Sequence, residues 1–338
     1  MAAKYLIVNL GSQTKKYALA SEDGEILSRA TQESPDDGFS LEQFLGEKKE
    51  VVKIGIRIVA PGTFFTQHKS LDAGYLEMLH KSALMWPLHL EPVLRELEVL
   101  KSFLPAVPIF ALSDSAFHQP LPEEARLFPI DRTLAEKLDL YRFGYHGFSV
   151  GSIVRKLSAR DGGLPRKLIV AHLGGGVSVT ALLEGKTIET SMGFTPFSGV
   201  LSSTRVGELD PGALLHLVLG SGLSSGDLSR ELETKSGLFA LSGGTGEVRD
   251  LLLQEKGGDL RAQFVLRVFV NSILKYIAAY IVSLGGADLI VLTGTIAERS
   301  ELTVQRIRDG LEPLAVTSEK VIILPTDEMG EMAHALQQ

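Results

Sequence analysis

Hydrophobic and polar positions form their clearest pattern between residues 167 and 182, where two apolar runs flank a glycine-rich turn. Residues 168–171 and Leu173 make a nearly continuous apolar run that ends at the three glycines 174–176, and the β-branched run 177–180 follows at once. This pattern predicts a strand, a tight turn and a second strand. A turn without side chains exposes backbone N–H groups, which suits it to binding phosphate.

The N-terminal segment carries a second copy of this pattern. When Gly11 is aligned with Gly174, both copies have an apolar run, a small or polar turn and a second apolar run. Each copy is followed by a hairpin signal, Asp23-Gly24 in the first and Glu184-Gly185 in the second. Two unrelated β units would also produce such hairpins, but the shared turn chemistry favours a duplication. Two phosphate-binding turns, one per half, predict a polyphosphate ligand in a cleft between the halves.

The remaining periodicity predicts an α/β protein. Asp259 is a candidate N-cap and Gly285 a candidate C-terminal stop for the longest helix. Isolated histidines in apolar runs, His89 and especially His216, are expected to be core residues. Helices are predicted over 40–49, 72–84, 90–104, 149–160, 259–284 and 331–336, strands over 51–59, 107–112, 287–292 and 321–324, and an irregular segment over 190–210.

Length and composition narrow the classes of function. A chain of 338 residues is long for one core, so we expect two domains. A net charge of −7 without a long basic run argues against nucleic acid or an anionic membrane as a partner. The absence of cysteine excludes disulfides and thiolate chemistry. The N-terminal apolar run is too short for a secretory signal and no apolar stretch indicates a membrane span, so we expect a cytoplasmic protein.

Polar side chains collect where the predicted strands end. Neither a GxxxxGK[ST] loop nor a strand-linked GxGxxG is present, so the P-loop and dinucleotide-binding classes are not supported. Arg57 and Arg205 lie at turns, where guanidinium groups are suited to bidentate binding of carboxylate or phosphate. Asn9, Asp114 and Glu328 offer oxygen ligands of the kind that Mg²⁺ takes. Taken singly, each of these residues is more often a solvated charge or a structural residue than a functional one.

Taken together, these segments resemble the acetate kinase family of the acetate and sugar kinase, Hsp70 and actin superfamily. The resemblance extends from Asn9 to Ala333, and the joint order and spacing of the motifs is specific although each motif alone is weak. The matching segments are NLGSQTKK (9–16), RIV (57–59), PLH (87–89), DSAFHQ (114–119), GYHG (144–147), HLGGG (172–176), TSMGFTP (190–196), TR (204–205), KSGL (235–238) and PTDE (325–328).

The resemblance implies a duplicated ribonuclease H-like (actin-like ATPase) fold, with an N-terminal domain of residues 1–118 and 329–338 and a C-terminal nucleotide-binding domain of residues 119–328. It also implies a homodimer that uses ATP and Mg²⁺. Arg57, Asp114, His146 and Arg205 match catalytic residues, and Asn9 and Glu328 match positions near the metal. The acyl pocket corresponds to Arg57, Val59, Leu88, Tyr145 and Pro196, and the nucleotide and phosphate site to Asn9, Ser12, Thr14, Lys16, His172, Gly174, Gly175, Gly176, Glu247, Arg249, Thr295 and Ala297.

The implied reaction is reversible transfer of the ATP γ-phosphoryl group to acetate or another short-chain carboxylate. The departures from the family lie mostly on the donor side, where Thr295 and Ala297 replace glycines and are expected to narrow the pocket. Tyr145 stands where the family has Phe and adds a hydroxyl beside the acyl pocket. These departures leave open pyrophosphate or another donor, propionate as the acid, and a regulatory protein that binds nucleotide without turnover.

Overall fold

The computed structural model describes residues 3–11, 14–34, 39–46 and 50–337. These residues divide into two compact units. The first unit is drawn from Met1–Phe117, Gly147–Ser152 and Asp327–Gln338, and the second from His118–His146 and Ile153–Thr326. Each unit has its own sheet and its own buried apolar clusters.

The sheet of the first unit has the order β3-β2-β1-β4-β6-β5. Its centre is parallel, because β1 pairs in parallel with β4 and β4 with β6, whereas β1, β2 and β3 form an antiparallel meander. The parallel strands therefore end at one common edge of the sheet. The strands are β1 (Lys4–Leu10), β2 (Lys15–Ser21), β3 (Ile26–Gln32), β4 (Val51–Ile58), β5 (Lys69–Ser70) and β6 (Ile109–Ser113).

Helices cover both faces of this sheet because successive strand residues point to opposite sides. Leu6 and Val8 belong to an apolar cluster with three helices, α1 (Leu41–Leu45), α2 (Ala73–Ala83) and α3 (Pro87–Phe103). Tyr5 and Ile7 face the other way and pack with α14 (Glu328–Ala335). The polar residue Asn9 continues the α14-facing series of β1 at the end of the strand.

The sheet of the second unit repeats this arrangement, with the order β11-β10-β7-β8-β9. β7, β8 and β9 form an antiparallel meander and β7 pairs in parallel with β10, as β1 does with β4. The predicted duplication is therefore confirmed in the strand order. The strands are β7 (Lys167–Leu173), β8 (Val177–Leu183), β9 (Lys186–Thr190), β10 (Leu289–Thr293) and β11 (Val321–Ile323).

Helix α11 (Leu260–Leu284) supplies much of the second core, where Val265, Phe269 and Ile273 are fully buried. Its predicted ends are confirmed: Asp259 accepts hydrogen bonds from two N–H groups of the first turn, and Gly285 adopts the left-handed conformation at φ 62°. By length and composition α11 could also cross a membrane, a test that long core helices pass too. Because one side of α11 is buried in the second unit, we interpret α11 as a core helix.

The remaining helices complete the described chain. Helix α6 contributes residues to both units, since Gly147–Ser152 belongs to the first. The remaining α-helices are α4 (Glu123–Arg126), α5 (Arg132–Leu138), α6 (Gly147–Ser158), α7 (Pro211–Gly220), α8 (Ser225–Thr234), α9 (Gly237–Ser242), α10 (Val248–Lys256), α12 (Thr295–Arg299) and α13 (Glu301–Leu311).

Four sequence predictions need correction. Helix α3 begins three residues earlier than predicted, because Pro87 occupies its first position, where a missing N–H costs nothing. Helix α1 ends at Leu45 because Gly46 turns out of the helix at φ 57°, and residues 47–49 lie outside the described chain. Helix α14 begins three residues earlier than predicted, because Asp327 caps it through the Gly330 N–H. His216 does lie on a helix, but it is exposed, since α7 buries none of its side chains. The core assignment of His216 was therefore wrong.

Candidate active site

A cluster of four polar side chains lies at the carboxyl edge of the first sheet. Asn9 lies near the end of β1, Arg57 near the end of β4, Asp114 directly after β6, and Glu328 opens α14. Arg57 Nη2 donates to Asp114 Oδ2 at 2.8 Å, and Arg57 Nη1 donates to Asn9 Oδ1 at 3.1 Å. Asn9 Nδ2 in turn donates to Glu328 Oε2 at 3.0 Å. The structure thus brings together Arg57 and Asp114, predicted to be catalytic, with Asn9 and Glu328, predicted to lie near the metal.

Arg57 is the centre of this cluster. Its side chain is 11% exposed, and a second carboxylate oxygen, Glu328 Oε2, lies 3.5 Å from Nη1. Burial by itself would lower the pKa of Arg57, but the carboxylates of Asp114 and Glu328 outweigh it and raise the pKa above its ordinary value. The guanidinium is therefore permanently charged, and its planar fork is held by a 99%-buried Asp114. Such a fixed cation is suited to binding an anionic substrate.

The register of the first hairpin places Lys16 beside this cluster. Asn9 and Lys16 are cross-strand partners in the β1–β2 pair, so their side chains share one face of the sheet. Lys16 is exposed and Thr14 half-buried. Gly11 N–H donates to the Thr14 carbonyl at 2.8 Å and closes the turn. Ser12, also predicted to bind phosphate, lies outside the described residues.

The donor atoms of the first cluster fit a magnesium ion. Asn9, Asp114 and Glu328 contribute only amide and carboxylate oxygens, which are the ligands that Mg²⁺ prefers. Within residues 3–11, 14–34, 39–46 and 50–337, no group of three or more His, Asp or Glu side chains could hold a metal by itself. Mg²⁺ takes few protein ligands and completes its coordination shell with water and substrate phosphate.

A second cluster lies at the glycine turn between β7 and β8. A Cβ atom added to Gly176 would lie 2.7 Å from Arg205 Nη1 and 3.1 Å from His146 Nε2. The guanidinium and the imidazole therefore both lie against the Gly176 backbone, and only glycine leaves them that room. A Cβ added to Gly174 would approach His172 Nε2 to 3.1 Å, whereas Gly175 faces open space. The turn, His146, His172 and Arg205 thus form one group within the second unit.

His146 is held in an unusual backbone conformation, with φ 59° and ψ 27°. Its Nδ1 lies 2.9 Å from Ser178 Oγ, and its ring centroid lies 4.3 Å from that of His172. The bond through Nδ1 fixes the ring and leaves Nε2 directed at the Gly176 turn. Ser178 was not among the predicted site residues, although its cross-strand pairing with His172 could have indicated it.

The segment between β9 and α7 connects this turn to the start of α10. Ser203 N–H donates to the Gly175 carbonyl at 3.3 Å, and Ser203 Oγ donates to the Gly246 carbonyl at 2.9 Å. The next residue along the chain, Glu247, is the N-cap of α10, and Arg249 in its first turn is 86% exposed. Glu247 and Arg249, both expected at the nucleotide site, therefore lie on an exposed helix end that is joined to the glycine turn through Ser203.

Thr295 and Ala297, the two residues at the start of α12 that stand where the family has glycine, lie in different environments. Thr295 is exposed in the first turn, next to Gly294, whose backbone packs closely on Leu173. Ala297 is 1% exposed and belongs to the apolar core of the second unit. The methyl group of Ala297 is therefore packed in the core, and the expectation that it narrows the nucleotide pocket stays a prediction.

The predicted acyl-pocket residues are divided between the units. Val59 is half-buried and Leu88 is 37% exposed in the first unit, whereas Tyr145 and Pro196 are buried in the second. The Tyr145 hydroxyl, which distinguishes this chain from the family pattern, donates to the Phe194 carbonyl at 2.6 Å. The Tyr145 hydroxyl is thus hydrogen-bonded to the backbone of the residue two positions before Pro196.

Comparisons with known proteins agree with this architecture. The model of the acetokinase family matches residues 36–333. An acetate kinase of Treponema denticola is 34% identical over 301 residues, which cover 82% of this chain and 76% of that protein. An acetate kinase of Methanosarcina acetivorans is 32% identical over 352 residues, with coverages of 93% and 86%.

Among solved structures, a propionate kinase from Francisella tularensis superimposes with a TM-score of 0.88 at 25% identity, over 98% of both chains. This match confirms the predicted fold class, an α/β protein with a duplicated, actin-like core. A family model that spans most of the chain, together with relatives above 30% identity, identifies the family. The chain belongs to the acetokinase family.

Proposed function

We propose that this carboxylate phosphotransferase of the acetokinase family transfers the γ-phosphoryl group of ATP to acetate or another short-chain carboxylate. The products are an acyl phosphate and ADP. The names of the relatives, acetate kinase and propionate kinase, support a short carboxylate as the acceptor. The observation that carries the proposal is the approach of Arg205 and His146 to one point above the Gly176 backbone.

The chemistry requires charge neutralisation more than proton transfer. A carboxylate with a pKa of about 4 is already ionised at neutral pH, so it needs no general base. One of its oxygens forms a bond to the γ-phosphorus while the bond to the β,γ-bridging oxygen breaks, and ADP leaves with the electron pair. The obstacle is the approach of two anions, which cations and hydrogen-bond donors around the transferring group remove.

Each cluster has a role in this step. Arg57, fixed by Asp114 and Asn9, is expected to bind the acceptor carboxylate, and Arg205 with His146 Nε2 to bind the oxygens of the transferring phosphoryl group. The backbone of Gly174–Gly176 and the Lys16 ammonium are suited to the phosphates of the donor. Asn9, Asp114 and Glu328 would hold Mg²⁺, which neutralises phosphate charge when it is bound.

We also propose a homodimer as the assembled state. Helix α7 supports this, because its apolar side chains are exposed on a single chain and Leu219 is 85% exposed. Contiguous exposed apolar surface of this kind is typical of protein interfaces.

An acyl phosphate trapping assay tests the proposed reaction. The enzyme is incubated with Mg²⁺, a donor and a carboxylate, and hydroxylamine converts any acyl phosphate to a coloured hydroxamate. We expect product from ATP with acetate or propionate, and the assay is repeated with butyrate, GTP and pyrophosphate to define both specificities. Absence of hydroxamate from every pair would contradict the proposal.

Arg205→Ala is the matched variant for this assay. Loss of a donor to the transferring phosphoryl group should lower kcat by about 10²- to 10³-fold. Circular dichroism should show the fold retained. Arg230→Ala is the control, because Arg230 is exposed on α8, where it forms a long ion pair with Asp227 at 3.7 Å. Equal turnover of the Arg205→Ala and Arg230→Ala variants would remove Arg205 from the mechanism.

A further inference from the structure

A buried carboxylate contacts the first hairpin from the α3 side of the sheet. Glu96 on α3 is 1% exposed. Its Oε2 accepts a hydrogen bond from Lys15 Nζ at 2.7 Å, and its Oε1 accepts one from the Tyr17 hydroxyl at 2.8 Å. Both carboxylate oxygens are therefore held by residues of β2. The Tyr17 ring is fixed in addition by stacking on Phe39, with centroids 4.9 Å apart.

Stability alone does not account for this arrangement. Burying a carboxylate costs several kcal/mol, and its ion pair with Lys15, whose side chain is 41% exposed, recovers part of that cost. Apolar residues of similar volume in such places are often neutral or stabilising. The surrounding layer is apolar, since α3 contributes Leu90, Val93 and Leu97 to the same core. The ion pair therefore provides a defined position for β2 more than it provides stability.

The residue whose position it defines is Lys16. Lys15 and Tyr17 point to the α3 side of the sheet, so Lys16 between them points to the opposite side. There it is the cross-strand partner of Asn9, which is hydrogen-bonded to Arg57 and Glu328. Glu96 thus fixes the strand on both sides of Lys16, which shares a face with the polar cluster.

We propose that Glu96 is a positioning residue for the phosphoryl donor: through Lys15 and Tyr17 it holds the start of β2 so that Lys16 and Thr14 meet the donor phosphates. This inference rests on the proposed function. It assigns to the pair Lys15–Glu96 an effect on donor binding and none on the carboxylate acceptor.

The double variant Lys15→Met/Glu96→Gln tests the assignment. It leaves no buried charge, and the amide oxygen of the introduced glutamine still accepts from the Tyr17 hydroxyl, so the fold should be retained. We expect the Kd for Mg·ATP, measured by titration calorimetry, and the KM for ATP to rise about 10-fold, while the KM for acetate stays within about twofold. Lys15→Arg keeps the ion pair and should retain the wild-type constants.

The control is Glu91→Gln/Arg95→Met, which removes an exposed ion pair from the same helix and should change neither KM. An unchanged Kd and KM for ATP in the folded Lys15→Met/Glu96→Gln variant would overturn the inference, and so would an equal rise of both KM values. If that variant does not fold, the same criteria apply to Glu96→Gln alone. A wild-type enzyme that binds ATP but forms no acyl phosphate would contradict the proposed function and leave the Kd comparison decisive for Glu96.

Discussion

Single glycines in this chain differ in what an added methyl group would meet. A Cβ atom on Gly147 would lie 2.2 Å from the carbonyl oxygen of Asp114, whereas one on Gly220 would have no neighbour within 4 Å. Gly147 N–H also donates to the Asp114 carbonyl at 3.0 Å. The backbone of a catalytic candidate is therefore packed directly on the residue that follows His146 in the chain.

Gly147→Ala should consequently disturb both stability and turnover. The Asp114 carbonyl must move, which we expect to lower the free energy of unfolding by about 1–3 kcal/mol. Because Asp114 holds Arg57, kcat/KM for acetate should fall as well. Urea titration and steady-state kinetics measure the two effects. Gly226→Ala is the control, because a Cβ atom there would meet only Ser224 Oγ at 3.9 Å, and it should be neutral or slightly stabilising. A Gly147→Ala variant with the stability of Gly226→Ala would contradict the packing argument.

The sequence predicted the residues of the polar clusters better than their supporting partners. Asn9, Arg57 and Asp114 lie at the ends of strands that pair in parallel, so a shared sheet edge brings them together without further information. Ser178 and Glu96 act through partners 32 and about 80 positions away in the chain. No local pattern encodes such contacts, because they depend on which faces of distant elements meet.

At the scale of the element, the ends of helices could be predicted where the capping residue is a sequence neighbour. The burial of helix side chains could not be predicted. Asp210 accepts from the Ala213 N–H and Pro211 occupies the first turn, so α7 has a well-defined start. The same helix is rich in leucine, yet none of its side chains is buried. Composition indicates that a helix has an apolar surface, but it does not indicate whether the covering partner belongs to the same chain.

The exposed leucines of α7 give a test of the proposed homodimer. Leu215 and Leu219 are 62% and 85% exposed, so glutamate at both positions should not affect the core of the second unit. We expect the wild-type protein to sediment with twice the mass of one chain and Leu215→Glu/Leu219→Glu to sediment as a monomer, since a buried charge opposes association. Leu302→Glu, at a half-exposed position on α13, is the control. A wild-type monomer, or a variant that remains dimeric, would contradict this assignment of α7.

At the scale of the whole molecule, the duplication was predictable because it repeats a strand, turn and strand with the same spacing. The structure adds that the two units share the order of their central strands. The two turns have nevertheless diverged in chemistry. The second turn consists of three glycines, which expose backbone groups, whereas the first is followed by two lysines, one on each face of β2. The sequence could not predict that Glu96 on α3, 81 residues away, would form an ion pair with Lys15.

That distant carboxylate constrains how the chain can change over evolutionary time. Replacing Lys15 alone would remove the cation paired with the buried Glu96 carboxylate and leave its hydrogen bond from the Tyr17 hydroxyl. Replacing Glu96 alone would remove the acceptor for both the Lys15 ammonium and the Tyr17 hydroxyl. Either intermediate is costly, whereas exchange of both for apolar residues is not. Relatives should therefore carry the lysine and the glutamate jointly or lack both, and an aligned set of sequences would show these two columns varying together.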